Sequence, residues 1–280
     1  MSSYDALAAS YDGLMADGVY RRRADYLEKL FQKSRIPVHT VLDLACGTGT
    51  IACLLAAKGY AVTATDLSEE MLTQAMSKAA ALEQPPLFVQ QSMPRLRLPE
   101  PVDAVVSTLD SLNYLTREKD IRETFRRVFR ALKPGGSFFF DVNTPYKLRR
   151  MDGQLYTDET EESYCVWRTF FSEKTSICTY QGDLFQLRAD GTWDRDYEEH
   201  RERAWSAAEL TAFLTDAGFE AKLIGVCSRT VSKAEKARRE LGFEYATGDY
   251  HDLLNDPRID VVSVCTPNAD HERMVIDALK

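Results

Sequence analysis

Two short runs carry residues of a kind and spacing that could hold a charged nucleotide. In VLDLACGTGT, residues 41–50, Asp43 stands just before a turn built around Gly47 and Gly49, and Ala52 follows. Asp66 closes the next apolar run, YAVTATD. Glycines between a strand and a helix let the backbone approach a ligand closely, and an acid about 20 residues further on can accept ribose hydroxyls. The spacing satisfies the G-x-G-x-x-G/A pattern, so a dinucleotide is one candidate. An adenosyl sulfonium compound, S-adenosylmethionine, is the other.

Charge separates the two. A dinucleotide brings a pyrophosphate to the helix N-terminus, where backbone N–H groups and the helix dipole favour an anion. Asp43 stands at the start of that turn, and its carboxylate would repel a pyrophosphate. S-adenosylmethionine carries a sulfonium and an ammonium, for which an acid in the cradle is favourable. Asp66 serves either ligand and does not discriminate.

The elements that must position these residues alternate. Tyr26, Leu27, Leu30 and Phe31 in YRRRADYLEKLFQKS recur at helical spacing, and Pro37 follows. TVLDLA reads as a strand, TGTIACLLAAKG as a helix closed by Gly59, and YAVTATD as a second strand. SEEMLTQAMSKAAALE opens a helix with Ser68 as N-cap and Glu69 and Glu70 in its first turn. PLFVQQ and VDAVVSTL read as buried strands, REKDIRETFRRVFRALK as a helix stopped by Pro134 and Gly135, and SFFFDV as a fifth strand. Such alternation implies an α/β fold, a doubly wound, mostly parallel Rossmann-like sheet with helices on both faces. Ligands of these sheets lie outside the carboxyl ends of the strands, where Asp43, Asp66, Gln91 to Met93 and Asp110 all fall.

From about Glu161 to Trp205 the rhythm becomes strand-like, with Asp190-Gly191 between apolar-rich runs signalling a hairpin. We expect an antiparallel β-hairpin insertion, about 155–205, covering the ligand edge of the sheet. SAAELTAFLTDAG then reads as a helix with a Ser206–Glu209 capping box, and FEAKLIGV as a sixth strand.

The chain has 280 residues, enough for one large α/β domain or one domain and an appendage. No apolar run approaches the roughly 20 residues that a bilayer span needs. Residues 1–15 carry acids and no basic run, which argues against a signal peptide and for a cytoplasmic location. A net charge of −8 argues against a nucleic-acid partner, and Arg21, Arg22 and Arg23 read as a solvated helix face. The six cysteines form no C-x-x-C pair and the four histidines are dispersed, so reduced, buried thiols and no metal site are expected.

Several motifs in order resemble the class I S-adenosylmethionine-dependent methyltransferases. VLDLACGTG resembles their first motif, VTATDLSEEML the second-strand acid and following helix, VDAVVSTLDSLNYL the fourth-strand motif, and LKPGGSFFFDV the turn and fifth strand. LAASYDGLM, with Tyr11 and Tyr20, resembles the lid of a bacterial subgroup acting on small molecules. The resemblance covers residues 1 to about 226. It implies that Asp43, Ala45, Gly47 and Gly49 line the methionine moiety, Asp66 the ribose, and Leu67 and Met71 the adenine. Ser92 and Met93 occupy the third-strand site, where many members place an acid instead. Leu109, Asp110 and Tyr114 would edge the cofactor and face the acceptor, with Tyr11 and Tyr20 above.

Methyl transfer is an in-line displacement, so the protein mainly aligns acceptor and methyl carbon and excludes water. A base is needed only where the nucleophile must lose a proton. Asp110, Tyr11, Tyr114 and His200 are candidates by position. The fourth strand lacks the N/D-P-P-Y/F ending of enzymes that methylate amino groups of bases or glutamine, which favours a small-molecule acceptor over RNA. O-, N- and C-methylation stay open.

From about Ile224 to Lys280 the sequence resembles the NAD(P)-binding domain of the glucose–fructose oxidoreductase and inositol dehydrogenase family, starting at its second strand. CSRT, YHDLLNDPRIDVVSVCTPNADH and above all TPNADH carry the likeness. The family's first strand and glycine loop are replaced by methyltransferase sequence, and its E-K-P lysine motif would fall beyond Lys280. The expected division is therefore a methyltransferase domain over 1–226 and a partial oxidoreductase-like βα fragment over 227–280. That fragment could be a fusion remnant, a structural addition in which DVVSVCT supplies a missing strand, or a second cofactor site. A nicotinamide-binding sensor or oxidoreductase fragment is the rival reading of the whole.

Overall fold

The computed structural model describes residues 18–188, 190–220, 225–228, 230–241 and 243–256. Tyr11 with the expected lid, DVVSVCT and TPNADH lie outside the described residues. The chain divides into two compact units, Met1–Ala204 and Trp205–Lys280.

In the first unit, helix α1 (Val19–Gln32) precedes β1 (Thr40–Leu44), α2 (Thr50–Ala57), β2 (Ala61–Asp66), α3 (Glu69–Ala79) and β3 (Leu87–Gln90). A short 3-10 turn at Met93–Arg95 leads to β4 (Val102–Ser107), and another at Ser111–Tyr114 leads to α4 (Glu118–Ala131) and β5 (Leu132–Phe140). The five strands form a parallel sheet in the order β3-β2-β1-β4-β5, as the alternation of strands and helices requires. The fifth strand begins at Leu132, so α4 stops before Pro134 and the KPGG run lies within the strand. β3 is at the sheet edge and remains half exposed, although its apolar run reads as buried.

Alternation along β5 assigns the faces of the sheet. Phe139 packs on Phe31 of α1 with ring centroids 5.6 Å apart, while Phe138 and Phe140 each meet Phe125 of α4 at 6.0 Å. Leu27, Leu30 and Phe31 of α1 and Ile51 and Leu55 of α2 share one core with Val41, Val62 and Val106 of the strands. Burying side chains of this size stabilises the fold by about 1.5–3 kcal/mol each. At the amino ends of the strands, Asp103 accepts the backbone N–H groups of His39 and Thr40 and pairs with Lys133 at 2.7 Å. Burial alone would raise its carboxyl, but these partners hold it well below the usual range.

After β5 come helix α5 (Pro145–Arg150) and the strands β6 (Leu155–Glu159), β7 (Ser163–Ser172), β8 (Ile177–Leu187) and β9 (Trp193–Arg203). The insertion is a full four-stranded antiparallel sheet in sequential order, larger than the expected hairpin. Its β8–β9 turn is the expected Asp190-Gly191, with Gly191 at φ 84° and Asp190 accepting the N–H of Thr192. One side of this sheet buries Cys165, Trp167, Cys178, Tyr180 and Leu184 with Leu148 of α5.

The second unit contains α6 (Ala207–Ala217), β10 (Gly225–Cys227), α7 (Val231–Leu241), β11 (Tyr245–Thr247) and α8 (Tyr250–Leu254). Ser206 and Glu209 form the expected capping box, and Gly218 ends α6 at φ 108°. β10 pairs in parallel with β11 in a separate two-stranded sheet. Of the sixth strand expected from FEAKLIGV, residues 221–224 lie outside the described residues. Its described part belongs to a β-α-β unit of the second compact unit, as in the oxidoreductase-like reading of the same residues. Among the described residues, no helix is long and apolar enough to cross a membrane.

Candidate active site

The glycine turn is held open by its own backbone and by Asp66. Ala45, Gly47 and Gly49 have φ values of 63°, 54° and 70°, a left-handed run that costs an alanine about 1–2 kcal/mol. Asp66 accepts the N–H of Gly47 at 2.8 Å through one oxygen and that of Ser68 at 2.9 Å through the other. The end of β2 thus shapes the turn after β1 and the start of α3 together. A Cβ at Gly49 would lie 2.7 Å from the Ala75 side chain, so that glycine lets α3 approach. A Cβ at Gly47 would meet nothing within 4 Å, so this side of the turn opens to a ligand.

Asp43 lies beneath the turn and is 1% exposed. Burial first, and the charge of Asp66 second, push its carboxyl up to about 7, opposed by the backbone N–H of Ala52. Its Oδ2 is buried without a partner, as are Thr65 Oγ1 and Ser107 Oγ. These three residues stand at the carboxyl ends of β1, β2 and β4, adjacent strands of the sheet. Buried polar atoms are normally satisfied, and a cluster of exceptions marks a place where a partner belongs. A cationic group beside Asp43 would supply one. The donor set therefore fits a ligand bearing an ammonium and a sulfonium, and an anionic pyrophosphate would meet a buried acid instead.

The other expected residues fall around this edge. Leu67 is 59% exposed beside Asp66, whereas Met71 is buried and donates its N–H to the Ser68 cap. Ser92 precedes the first 3-10 turn without capping it, and Met93 begins that turn half buried. Gln91 donates its N–H to the Asp66 carbonyl at 2.9 Å, holding this segment against the end of β2. Tyr20 packs on the core shared by α1 and α2.

Beyond β4 the backbone is strained where the site continues. Leu109 and Asp110 both have positive φ, at 59° and 52°, conformations that cost a non-glycine residue on the order of 1–3 kcal/mol. Asp141, at the end of β5, holds this turn by accepting the Asp110 N–H at 2.8 Å and is itself paired with Arg23 of α1. Arg23 is thus a brace for the site, which departs from the solvated face expected of the three arginines.

His200 of β9 was a candidate by position, but sequence reasoning missed the two acids that flank it. Glu198, His200 and Glu202 share one side of β9 and are all buried, at 7%, 3% and 4% exposed. Glu202 accepts the Asn143 amide at 2.6 Å and shares side-chain hydrogen bonds with Asp110 and Tyr180. Burial raises both Asp110 and Glu202, and the Asp110 charge raises Glu202 further, while Lys147 opposes both shifts. The pair therefore holds a proton well above the usual carboxylate range. Tyr114 reaches His200, with its hydroxyl 3.2 Å from Nδ1, and His200 Nε2 lies 2.8 Å from Glu198. Asn113 ties the layers together by donating to the carbonyls of Asn143 and Arg203 at 2.9 and 2.8 Å. A period-two signal, E-x-H-x-E, was present in EEHRE.

Comparison with known proteins agrees with this geometry. A family model described as "Methyltransferase domain" matches residues 41–136. "Putative methyltransferase YqeM" of Bacillus subtilis (strain 168) is 37% identical over 220 residues, covering 78% of this chain and 86% of its own. A crystal structure of an S-adenosylmethionine-dependent methyltransferase from Clostridium acetobutylicum ATCC 824 is 29% identical, with a TM-score of 0.69 over 76% of this chain and 87% of that one. A second family model, "Oxidoreductase family, NAD-binding Rossmann fold", matches residues 203–280. "Uncharacterized oxidoreductase YrbE" of Bacillus subtilis (strain 168) is 51% identical over 35 residues, 12% of this chain and 10% of its own. With the glycine turn, the buried acid beneath it and these relatives together, the chain belongs to the S-adenosylmethionine-dependent methyltransferases and carries in addition a segment similar to NAD-binding oxidoreductases.

Proposed function

We propose that the protein methylates a small molecule bound between the carboxyl edge of β4 and the inner side of β9. The observation that carries this reading is the enclosure of that side: Asp110 meets Glu202 and Tyr114 meets His200, and His200 and Glu202 are 3% and 4% exposed. A macromolecular acceptor would need these groups at an open mouth. The net charge of −8 also weighs against RNA as the alternative acceptor.

S-adenosylmethionine supplies an electrophilic methyl group on a positively charged sulfur. Asp43 and the left-handed turn at Ala45, Gly47 and Gly49 would hold its amino-acid end, Asp66 its ribose, and Leu67, Met71, Ser92 and Met93 its base. Leu109 and Asp110 would set the methyl carbon against the acceptor, with Tyr11, Tyr20 and Tyr114 around them. The strain stored at Leu109 and Asp110, braced by Asp141 and Arg23, supports an aligning role. Residues 1–226 would form the methyltransferase domain and 227–280 a partial oxidoreductase-like fragment with no hydride-transfer role, in a cytoplasmic protein none of whose described cysteines is in a disulfide.

The test is incubation with tritiated S-adenosylmethionine and separated small-molecule, RNA and protein fractions of a cell extract. Label in the small-molecule fraction is expected. Label confined to RNA or protein would overturn this acceptor class.

A further inference from the structure

An antiparallel sheet normally turns apolar side chains toward its covered side and leaves charge to the solvent. β9 breaks that rule at Glu198, His200 and Glu202, all buried. Their neighbours on β8 in register are Gly182, Tyr180 and Cys178. His200 is gripped: Trp167 presents an edge-on ring 5.4 Å away at 74°, and Tyr114 another 6.0 Å away at 81°. Trp167 can take that place because Gly182 lies under it, where a Cβ would come within 2.5 Å of the indole. The imidazole is therefore fixed in orientation, with one nitrogen toward a carboxylate and the other toward a phenol.

Resting on the methyl-transfer reading above, we infer that Tyr114, His200 and Glu198 form a proton relay that deprotonates the acceptor, an O–H or N–H nucleophile. Tyr114 is half buried in the turn just past β4, whereas His200 and Glu198 are closed off. Tyr114 is thus the member able to touch the acceptor, and the other two act through it. As the new bond to the methyl carbon forms, the acceptor's O–H or N–H bond breaks and its proton passes to the Tyr114 oxygen. The phenol's own proton passes to His200 Nδ1, and the Glu198 carboxylate balances the imidazolium. The electron pair of the broken sulfur–carbon bond stays on sulfur. The arrangement is the general logic of a nucleophile, a base and an orienting acid.

The relay requires neutral His200 to carry its proton on Nε2, donated to Glu198, so that Nδ1 accepts from Tyr114. Asp110, Glu202, Tyr180, Tyr156, Cys165, Cys178 and Lys147 are the other titratable groups facing this side of β9. Asp110 and Glu202 already share a hydrogen bond with each other.

The tautomer can be read without an acceptor, by long-range nitrogen–proton NMR on the histidine-labelled full chain. The Nε2–H form is expected in the wild type, with a shift toward Nδ1–H in Glu198→Gln. An Nδ1–H form in the wild type would overturn the relay, because the imidazole would then donate to the phenol. With the label-accepting extract fraction as probe, Tyr114→Phe should lower kcat on the order of 10²–10⁴-fold, far more than it changes S-adenosylmethionine affinity. Unchanged turnover in Tyr114→Phe with intact cofactor binding would sink the relay alone. Absence of cofactor binding in the wild type would sink the methyl-transfer reading, and the relay with it.

Discussion

The Asp66 carboxylate accepts the backbone N–H of Gly47 at 2.8 Å, so the acid that ends β2 also fixes the turn that follows β1. Its second oxygen caps the approach to α3 through Ser68. One side chain therefore sets the position of both segments that would touch the cofactor. Asp66→Ala leaves both N–H groups without this acceptor, and hydrogen bonds to charged groups contribute about 1.5–3 kcal/mol each. We predict a lower Tm and at least an order-of-magnitude weaker S-adenosylmethionine binding, measured by thermal unfolding and calorimetry. Asp66→Asn, which keeps one acceptor oxygen, should lose less on both scales.

Asp43 predicts a pH dependence of binding. Its carboxyl is raised to about 7 in the free protein, so it is largely protonated at pH 6 and ionised at pH 8. A cationic ligand needs the ionised form, and affinity should rise between pH 6 and 8 and level off above. The free protein should show the opposite trend. The folded state holds this proton more tightly than the unfolded chain, so Asp43 removes stability as pH rises from about 4 to about 7. Asp43→Asn should weaken binding at pH 8 and flatten the affinity profile, which calorimetry at pH 6, 7 and 8 would show.

Glu202 gives a second pH signature, in stability alone. Burial and the neighbouring Asp110 raise its carboxyl to about 8, so the wild type loses stability from about pH 4.5 up to about 8. Glu202→Gln keeps an acceptor for Asn143 and has no proton to lose. The Tm of this variant relative to wild type should therefore increase between pH 5 and pH 8.5. A constant difference across that range would contradict the buried carboxyl pair.

The two glycines of the turn should separate folding from binding. At Gly49 a methyl group meets Ala75 at 2.7 Å and Phe88 at 3.0 Å, in addition to the strain of φ 70°. Gly49→Ala should cost several kcal/mol, on the scale of overpacked cores and left-handed strain. At Gly47 there is open space, so Gly47→Ala should cost only the conformational strain, about 1–2 kcal/mol. Its methyl group would point into the ligand side, so binding should suffer more than Tm. Comparing the two variants by unfolding and calorimetry checks this.

What the sequence revealed follows from the range of the interactions. The glycine turn, Asp43 and Asp66 are encoded within one strand–turn–helix–strand run, and hydrophobic alternation was enough to place them. The Ser206–Glu209 box was readable for the same reason. Glu198 and Glu202 were not, because their burial depends on β9 folding back over residues far earlier in the chain. Their side of the strand is recognisable only once Asn113 and Asn143 are seen to bridge the two layers. Arg23 was misread likewise, since its partner Asp141 belongs to the last strand of the parallel sheet. The strand expected from FEAKLIGV had two partners available on sequence grounds, and its described end, Gly225 and Val226, pairs with β11.

The central claim, an S-adenosylmethionine site at the carboxyl edge of β1 and β2, is tested most directly by calorimetric titration of the full chain with S-adenosylmethionine, S-adenosylhomocysteine and NADP. Micromolar binding of both adenosyl ligands, abolished by Asp66→Ala, is the predicted result. Binding of NADP with no response to either adenosyl ligand would contradict it.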